Sequence, residues 1–291
     1  MKTFSLARSF TGQLCAFVAL APSALLASPE SPTPTPDKSS YHLFHPAPGT
    51  ERRKLNTDRP DQTESPYTVD AGHFQLEMDF FKLTYDRHNP DGVRSETWNI
   101  AAVNLKVGLL NNVDLQIVLD NYIAARTGNP STQTSGFGDI TARLKINLWG
   151  NDGGATAFGL MPFVKLPLDA SNLRNGRTEG GLIVPFVVEL PGGWGLGLMT
   201  EVDFVSDDGG GYDTEWVNSI TLSRGLIGKL GGYVEFFSVI GHAPGFDWQG
   251  QVDVGFTYGL ADNVQFDFGC NFGVTKSAPD YQPFTGFTIR F

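Results

Sequence analysis

The chain is poor in cysteine, in basic side chains and in long apolar runs. Of its two cysteines, Cys15 lies in the N-terminal apolar run, so a processed chain would carry Cys270 alone. One cysteine permits no internal disulfide, so stability must come from packing or from a bilayer. Lys and Arg total 21 against 31 Asp and Glu, a formal net charge of −10, which excludes nucleic acid as a partner because phosphates need Lys and Arg. The apolar run Leu14–Ala27 is too short to cross a bilayer as a helix. The five histidines, His42, His45, His73, His88 and His242, show no metal-ligand or nucleophile spacing. No metal, no cofactor and no enzyme activity is therefore expected. Asp207–Asp213, "DDGGGYD", lacks the spaced ligands and terminal Glu of a calcium loop and reads as an acidic external loop.

What the chain has in quantity is glycine (34) and phenylalanine (22), a strand-and-turn composition. Lys2 and Arg8 before the run Leu14–Ala27 read as a secretory signal peptide over 1–27, with cleavage after Ala27. Residues 28–54, with six prolines between Pro29 and Pro48, read as an extended, disordered linker. Residues 55–71 are polar and aperiodic. From residue 72 the two-residue period of strands takes over: Ile140, Ala142, Leu144, Ile146 and Leu148 alternate with Asp139, Thr141, Arg143, Lys145 and Asn147. The pattern predicts about twelve strands, at 73–86, 95–110, 113–126, 136–149, 155–168, 179–190, 193–206, 212–224, 228–240, 247–259, 263–275 and 281–291. Most exceed the usual globular length and suit a tilted crossing of a bilayer.

Short and long connections alternate, as in an antiparallel up-and-down transmembrane β-barrel with tight turns at one end and freer loops at the other. Trp98, Trp149, Trp194, Trp216 and Trp248 fall near predicted strand ends, where interfacial aromatic belts lie. The expected residence is the outer membrane of a diderm bacterium, with outer-membrane lipid as partner. A secreted sandwich or soluble barrel alternates too and stays open as an alternative. Pro162 and Pro185 stand against the barrel as donors missing from two neighbouring strands, where a bulge or weak seam is expected. Gly232 and Ser238 weaken the apolar face of 228–240.

The terminal run "FTGFTIRF", ending in Phe291, resembles the signal by which barrel-assembly machinery recognises outer-membrane barrels. The stretch "TDRPDQTESPYTVDAGHFQLE", Thr57–Glu77, together with "PFVKLPL", Pro162–Leu168, resembles the family labelled MetA pathway of phenol degradation. The resemblance implies an outer-membrane channel or transporter for small solutes and, through the family label alone, aromatic compounds.

Side-chain parity assigns inward acids Glu77, Asp79, Asp114, Asp139, Glu189, Glu201, Asp203, Glu235, Asp253 and Asp267, and inward bases Lys106, Arg143, Lys145, Lys165 and Arg290. Arg143, Lys145 and Lys165 form a basic wall, and Glu77, Asp79, Asp253 and Asp267 an acidic one across the ring. Such walls would set up a transverse field, and the excess of acids a preference for cations. The competing reading is a lumen plugged by its own charge pairs, in a structural or surface-binding barrel without transport. An enzyme acting on lipid is the remote third class. The segment with Thr57, Asp58, Arg59, Pro60 and Asp61 cannot face hydrocarbon. It is expected at the rim or in the lumen near Arg143 and Lys145, with a mobile linker as the alternative.

Overall fold

The computed structural model describes residues 37–128, 131–167, 176–207, 209–243 and 245–291. The expected signal peptide, and residues 28–36 of the expected linker, lie outside the described residues. The alternating segments form twelve antiparallel strands. These are β1 (Phe74–Asp86), β2 (Ser95–Ile100 and Val103–Leu110), β3 (Val113–Leu119 and Tyr122–Thr127) and β4 (Thr132–Gly136 and Ile140–Trp149), then β5 (Thr156–Leu166), β6 (Glu179–Leu190), β7 (Trp194–Ser206) and β8 (Tyr212–Ile227), and finally β9 (Leu230–Gly241), β10 (Gln249–Ala261), β11 (Val264–Gly273) and β12 (Tyr281–Arg290). Each pairs with its neighbours in sequence, and β12 closes onto β1 from Gln75 opposite Arg290 to Tyr85 opposite Tyr281. Closure leaves no sheet edge, the condition for placing strands in lipid. Among the described residues the only helical turn is the 3-10 segment Gly49–Glu51.

Turns at 111–112, 191–193, 228–229 and 262–263 mark one end of the barrel, and longer loops such as 87–94, 242–248 and 274–280 the other. The outer face carries a band of exposed apolar side chains, among them Phe74, Leu105, Ile220, Val234, Phe256 and Phe268. Trp149 lies at the short-turn end and Trp98, Trp216 and Trp248 toward the long-loop end, each more than a third exposed. Two belts flanking an apolar band is the layout a bilayer imposes. The weak face of β9 is repaired by neighbours. The Trp248 indole N–H donates to Ser238 Oγ at 2.8 Å, and Phe256 and Leu226 fill the space over Gly232.

Two differences from the sequence reading, and one choice between its alternatives, have local causes. First, β2, β3 and β4 are each broken, at 101–102, 120–121 and 137–139, beside a register shift at Asp79/Phe81 in β1. The breaks share one height: the Asn121 amide donates to Ala101 O at 2.6 Å, and the Gly138 N–H donates to Asp120 O. Ala101 is held at φ 55°, a left-handed conformation that costs a non-glycine residue about 1 kcal/mol or more.

Second, residues 37–54 are not a free linker. Lys38 and Arg53 both pair with Asp152 at 2.9 Å, the His73 imidazole lies 2.8 Å from Ala47 O, and Leu43 N–H donates to Leu109 O. These contacts lay the segment across the short-turn end.

Third, of the bulge or weak seam expected at Pro162 and Pro185, it is the seam that forms, as a gap in each ladder. The β4–β5 ladder skips from Arg143↔Phe163 to Ile146↔Leu160, and the β5–β6 ladder from Phe158↔Phe186 to Met161↔Ile183, with the same register on both sides of each gap; the β4–β5 register shifts only farther on, between Asn147 and Trp149. Each gap contains a proline, which has no N–H to donate.

Candidate functional site: a lumen divided by the N-terminal segment

Residues 55–69 run inside the barrel at its short-turn end, bonded along their length to inward side chains. Asp58 pairs with Lys106 and, at 2.5 Å, with Lys145; Lys106 also holds Glu77 at 2.5 Å. Arg59 bridges Asp79 and Asp267, each at 2.7 Å. The backbone N–H groups of Gln62 and Thr63 donate to Glu235, both at 2.8 Å, and the Gln62 amide donates to Asp253 at 2.8 Å. Thr63 Oγ1 lies within hydrogen-bond distance of Ser219, Thr221 and Glu235. Glu64 pairs with Arg143 at 2.5 Å. The chain then returns to the rim: Asn147 donates to Pro66 O, Val69 N–H to Asp114, and Asp70 sits between Arg53 and Arg290.

This geometry revises the expected transverse field. The segment brings its own complementary charges: Asp58 and Glu64 go to the basic side, Arg59 to the acidic side. The two walls are neutralised pairwise in the occupied half instead of facing one another across open water. Glu77, Asp79, Lys106, Asp114, Arg143, Lys145, Glu235, Asp253 and Asp267 all meet the segment. Asp139, Lys165, Glu201 and Asp203 lie nearer the long loops, where Lys165 pairs with Glu179. Glu189 is exposed at the short-turn mouth and Arg290 is tied to Asp70.

Asp58 is almost wholly buried. Burial raises its carboxyl, but the ammoniums of Lys106 and Lys145 outweigh that and hold it far below the usual carboxylate range. Asp61 shows the opposite balance. Burial and the negative charge of Glu235 push its carboxyl well up, and its neighbours supply only hydrogen bonds against them. Glu64 is raised by burial and by Asp58, with Arg143 opposing.

The segment divides the lumen in two. On the short-turn side is a cavity of ≈ 750 Å³ lined by Tyr67, Glu189, Gly195, Arg224 and Tyr233 among others. On the far side lies one of ≈ 300 Å³ lined by Asp79, Lys82, Val103, Arg143 and Phe284. Arg59, Pro60, Asp61 and Glu64 line both, so these residues are the partition between them.

Sequence reasoning missed several of these groups. Gln75 and Gln116 share inward parity with Glu77 and Asp114 and were readable from it; only attention to charge kept them off the set. Gln62, Thr63 and Glu64 follow Asp61 directly, but nothing local says which strands they reach. The larger omission is apolar. Met161, Ile183, Met199 and Val217 form a buried cluster on the inner face, flanked by Phe163, Phe237 and Val239. Met161 and Phe163 have the parity of Lys165, so the signal was present. Among the described residues no group of three or more His, Cys, Asp or Glu side chains is placed to hold a metal ion.

Fold and lumen together define a closed twelve-stranded barrel of the outer-membrane type, with an apolar exterior and an interior partitioned by its own N-terminal segment. Residues 57–291 match the model of the family described as "Putative MetA-pathway of phenol degradation", and the chain belongs to that family. Among solved structures it is similar to an outer membrane channel from Pseudomonas putida F1, with 14% identity, a TM-score of 0.57, and coverage of 81% of this chain and 100% of that one. It is more distantly similar to a NanC porin, at 7% identity and a TM-score of 0.47 over 74% of this chain and 98% of the other. At these identities the likeness concerns the fold. No curated protein matches the chain.

Proposed function

We propose that the protein is an outer-membrane channel for small solutes whose closed state is the docked N-terminal segment. Export by the leader at 1–27, assembly of 72–291 in the outer membrane through Phe291, and gating by residues 55–71 follow from the same reading. The observation that carries it is the partition: cavities of ≈ 750 and ≈ 300 Å³ meet only across Arg59, Pro60, Asp61 and Glu64. A barrel meant to be solid would have no reason to keep water-sized space on both sides of a removable segment. The likeness of fold to an outer membrane channel supports this reading, and the family's description makes aromatic compounds the first solutes to try. The acids Glu201 and Asp203, which the segment leaves free, favour cations in the open lumen.

The density of ion pairs on Asp58 and Arg59 favours a second reading, a permanently closed structural barrel. Deleting residues 55–66 separates the two. In planar bilayers the channel reading expects the deletion to raise conductance, with reversal potentials favouring cations. Unchanged conductance in a folded barrel would favour the closed reading. Liposome swelling with sugars, amino acids and aromatic acids then ranks solutes.

A further inference from the structure

The outer wall at the long-loop end carries charge where a bilayer favours apolar side chains. Lys82 lines the lumen, so its neighbours Phe81 and Leu83, and Tyr85 after them, face outward. Strand register extends that face into three rows. In the top row Tyr85 lies opposite Tyr281 on β12 and Glu96 on β2, and Glu96 lies opposite Arg126 on β3. In the next, Leu83 lies opposite Trp98; in the third, Phe81 lies opposite Ile100, and Ile100 opposite Tyr122. Successive rows are about 7 Å apart, two residues along a strand. The lower two are apolar or aromatic, with Trp98, Ile100 and Tyr122 each more than a third exposed. The top row is different. Arg94, 57% exposed, holds its guanidinium 5.3 Å from the centre of the Tyr85 ring and 3.3 Å from Glu96. Tyr85 in turn stacks on Tyr281 at 4.9 Å. Arg126 is exposed and has no hydrogen bond or ion pair among the described residues. Arg177, at the same end of the barrel, is instead spent on the carbonyls of Gly210 and Gly211. Two guanidiniums thus share one carboxylate beside a cavity of ≈ 690 Å³, on a chain of net charge −10.

A guanidinium fork matches the oxygens of a phosphate, and here one fork is free and the other only partly engaged. The rows beneath decide what carries the phosphate. A soluble anion gains nothing from Trp98, Ile100 and Tyr122, whereas acyl chains lying along the wall bury against them. We propose that Arg94 and Arg126 bind the phosphate of an outer-leaflet glycolipid, with the apolar rows of β1, β2 and β3 as the bed for its acyl chains. The tyrosine stack holds Arg94 in place. Glu96 orients Arg94 and competes with the phosphate, so the site releases its lipid as well as binding it. The assignment goes beyond the channel reading and does not depend on an open lumen.

The test titrates the full-length protein, folded in detergent micelles, with lipid A carrying both phosphates, and counts bound lipid by native mass spectrometry. The double variant Arg94→Ser with Arg126→Ser should raise the Kd about tenfold, the loss expected for charge-assisted hydrogen bonds. Glu96→Gln, which removes the competing carboxylate, should lower it about threefold. Arg177→Ser should leave it as it was. Lipid A stripped of its phosphates should bind the native protein no better than intact lipid A binds the double variant. Inorganic phosphate in large excess should displace no lipid. Native affinity in the double variant would overturn the site, as would equal binding of the stripped lipid. Displacement by inorganic phosphate would reveal a site for soluble anions and overturn the lipid assignment. A loss in Arg177→Ser as large as in the double variant would mean general charge attraction in place of a site. If the double variant does not fold, Glu96→Gln decides: affinity that fails to tighten overturns the proposal.

Discussion

Asp58→Asn is the sharpest perturbation of the partition. Asp58 is the only carboxylate within ion-pair distance of Lys145 among the described residues, and both side chains are almost fully buried, at 5% and 1% exposure. Lys106 is less affected, since Glu77 remains at 2.5 Å. The substitution keeps the size of the side chain but takes from the buried Lys145 ammonium its one partner at ion-pair distance, leaving Asp114, opposite it on β3, as the nearest named acid. Breaking one side of a buried pair typically costs about 3–5 kcal/mol. The penalty falls on the docked form, because a withdrawn segment lets water reach Lys145. Taking about 3 kcal/mol, and tenfold per about 1.4 kcal/mol, the ratio of docked to undocked segment falls on the order of a hundredfold. A channel open about one part in ten thousand would become open about one part in a hundred, a change single-channel recording resolves easily. The double variant Asp58→Asn with Lys145→Met removes both ions and should return the protein toward the closed state. Heat-modifiable gel mobility checks that each barrel is folded. If the Asp58→Asn channel is folded yet opens as seldom as the native one, the segment is not held by these charges and the gating argument is wrong.

Three other outcomes are expected. Because burial and Glu235 raise the Asp61 carboxyl, and burial raises that of Glu64, the docked segment holds these protons more tightly than the free one. Their stabilisation is complete below the ordinary carboxylate range near pH ~4 and is lost as pH rises through the raised values. Conductance should therefore rise on the alkaline side and flatten in Asp61→Asn, while Asp58, held low, loses its contribution only in strong acid; recordings from pH 5 to 9 that show the opposite slope would contradict the assignment. Asp152→Ala removes the shared partner of Lys38 and Arg53, at a partly exposed site where such pairs are worth about 1 kcal/mol. Limited proteolysis within residues 37–54 should then quicken about fivefold with the barrel intact. Deleting Phe291, whose side chain is 62% exposed, should lower the assembled fraction in cells several-fold but leave the refolded barrel's thermal stability nearly unchanged. Equal losses in both settings would mean that Phe291 acts through packing instead.

The sequence alone determined the number of strands, their direction of facing and the end at which the chain enters. Side-chain alternation is a local property with a period of two, so Lys145 and Asp267 declare their face without knowing their neighbours. The same parity held Met161 and Phe163 in view. What they mean together depends on Ile183, Met199 and Val217, brought beside them by strand order and register. Only the tertiary structure decided that Asp58 reaches Lys106 and Lys145 while Arg59, one residue on, crosses to Asp79 and Asp267. An aperiodic segment carries no rule for its own path, and its conformation is chosen by the walls that enclose it. The prolines show the division most plainly: that Pro162 and Pro185 cannot donate is written in their side chains. That both losses fall on the two sides of β5, over an apolar patch and under the N-terminal segment, follows from which strands stand next to them.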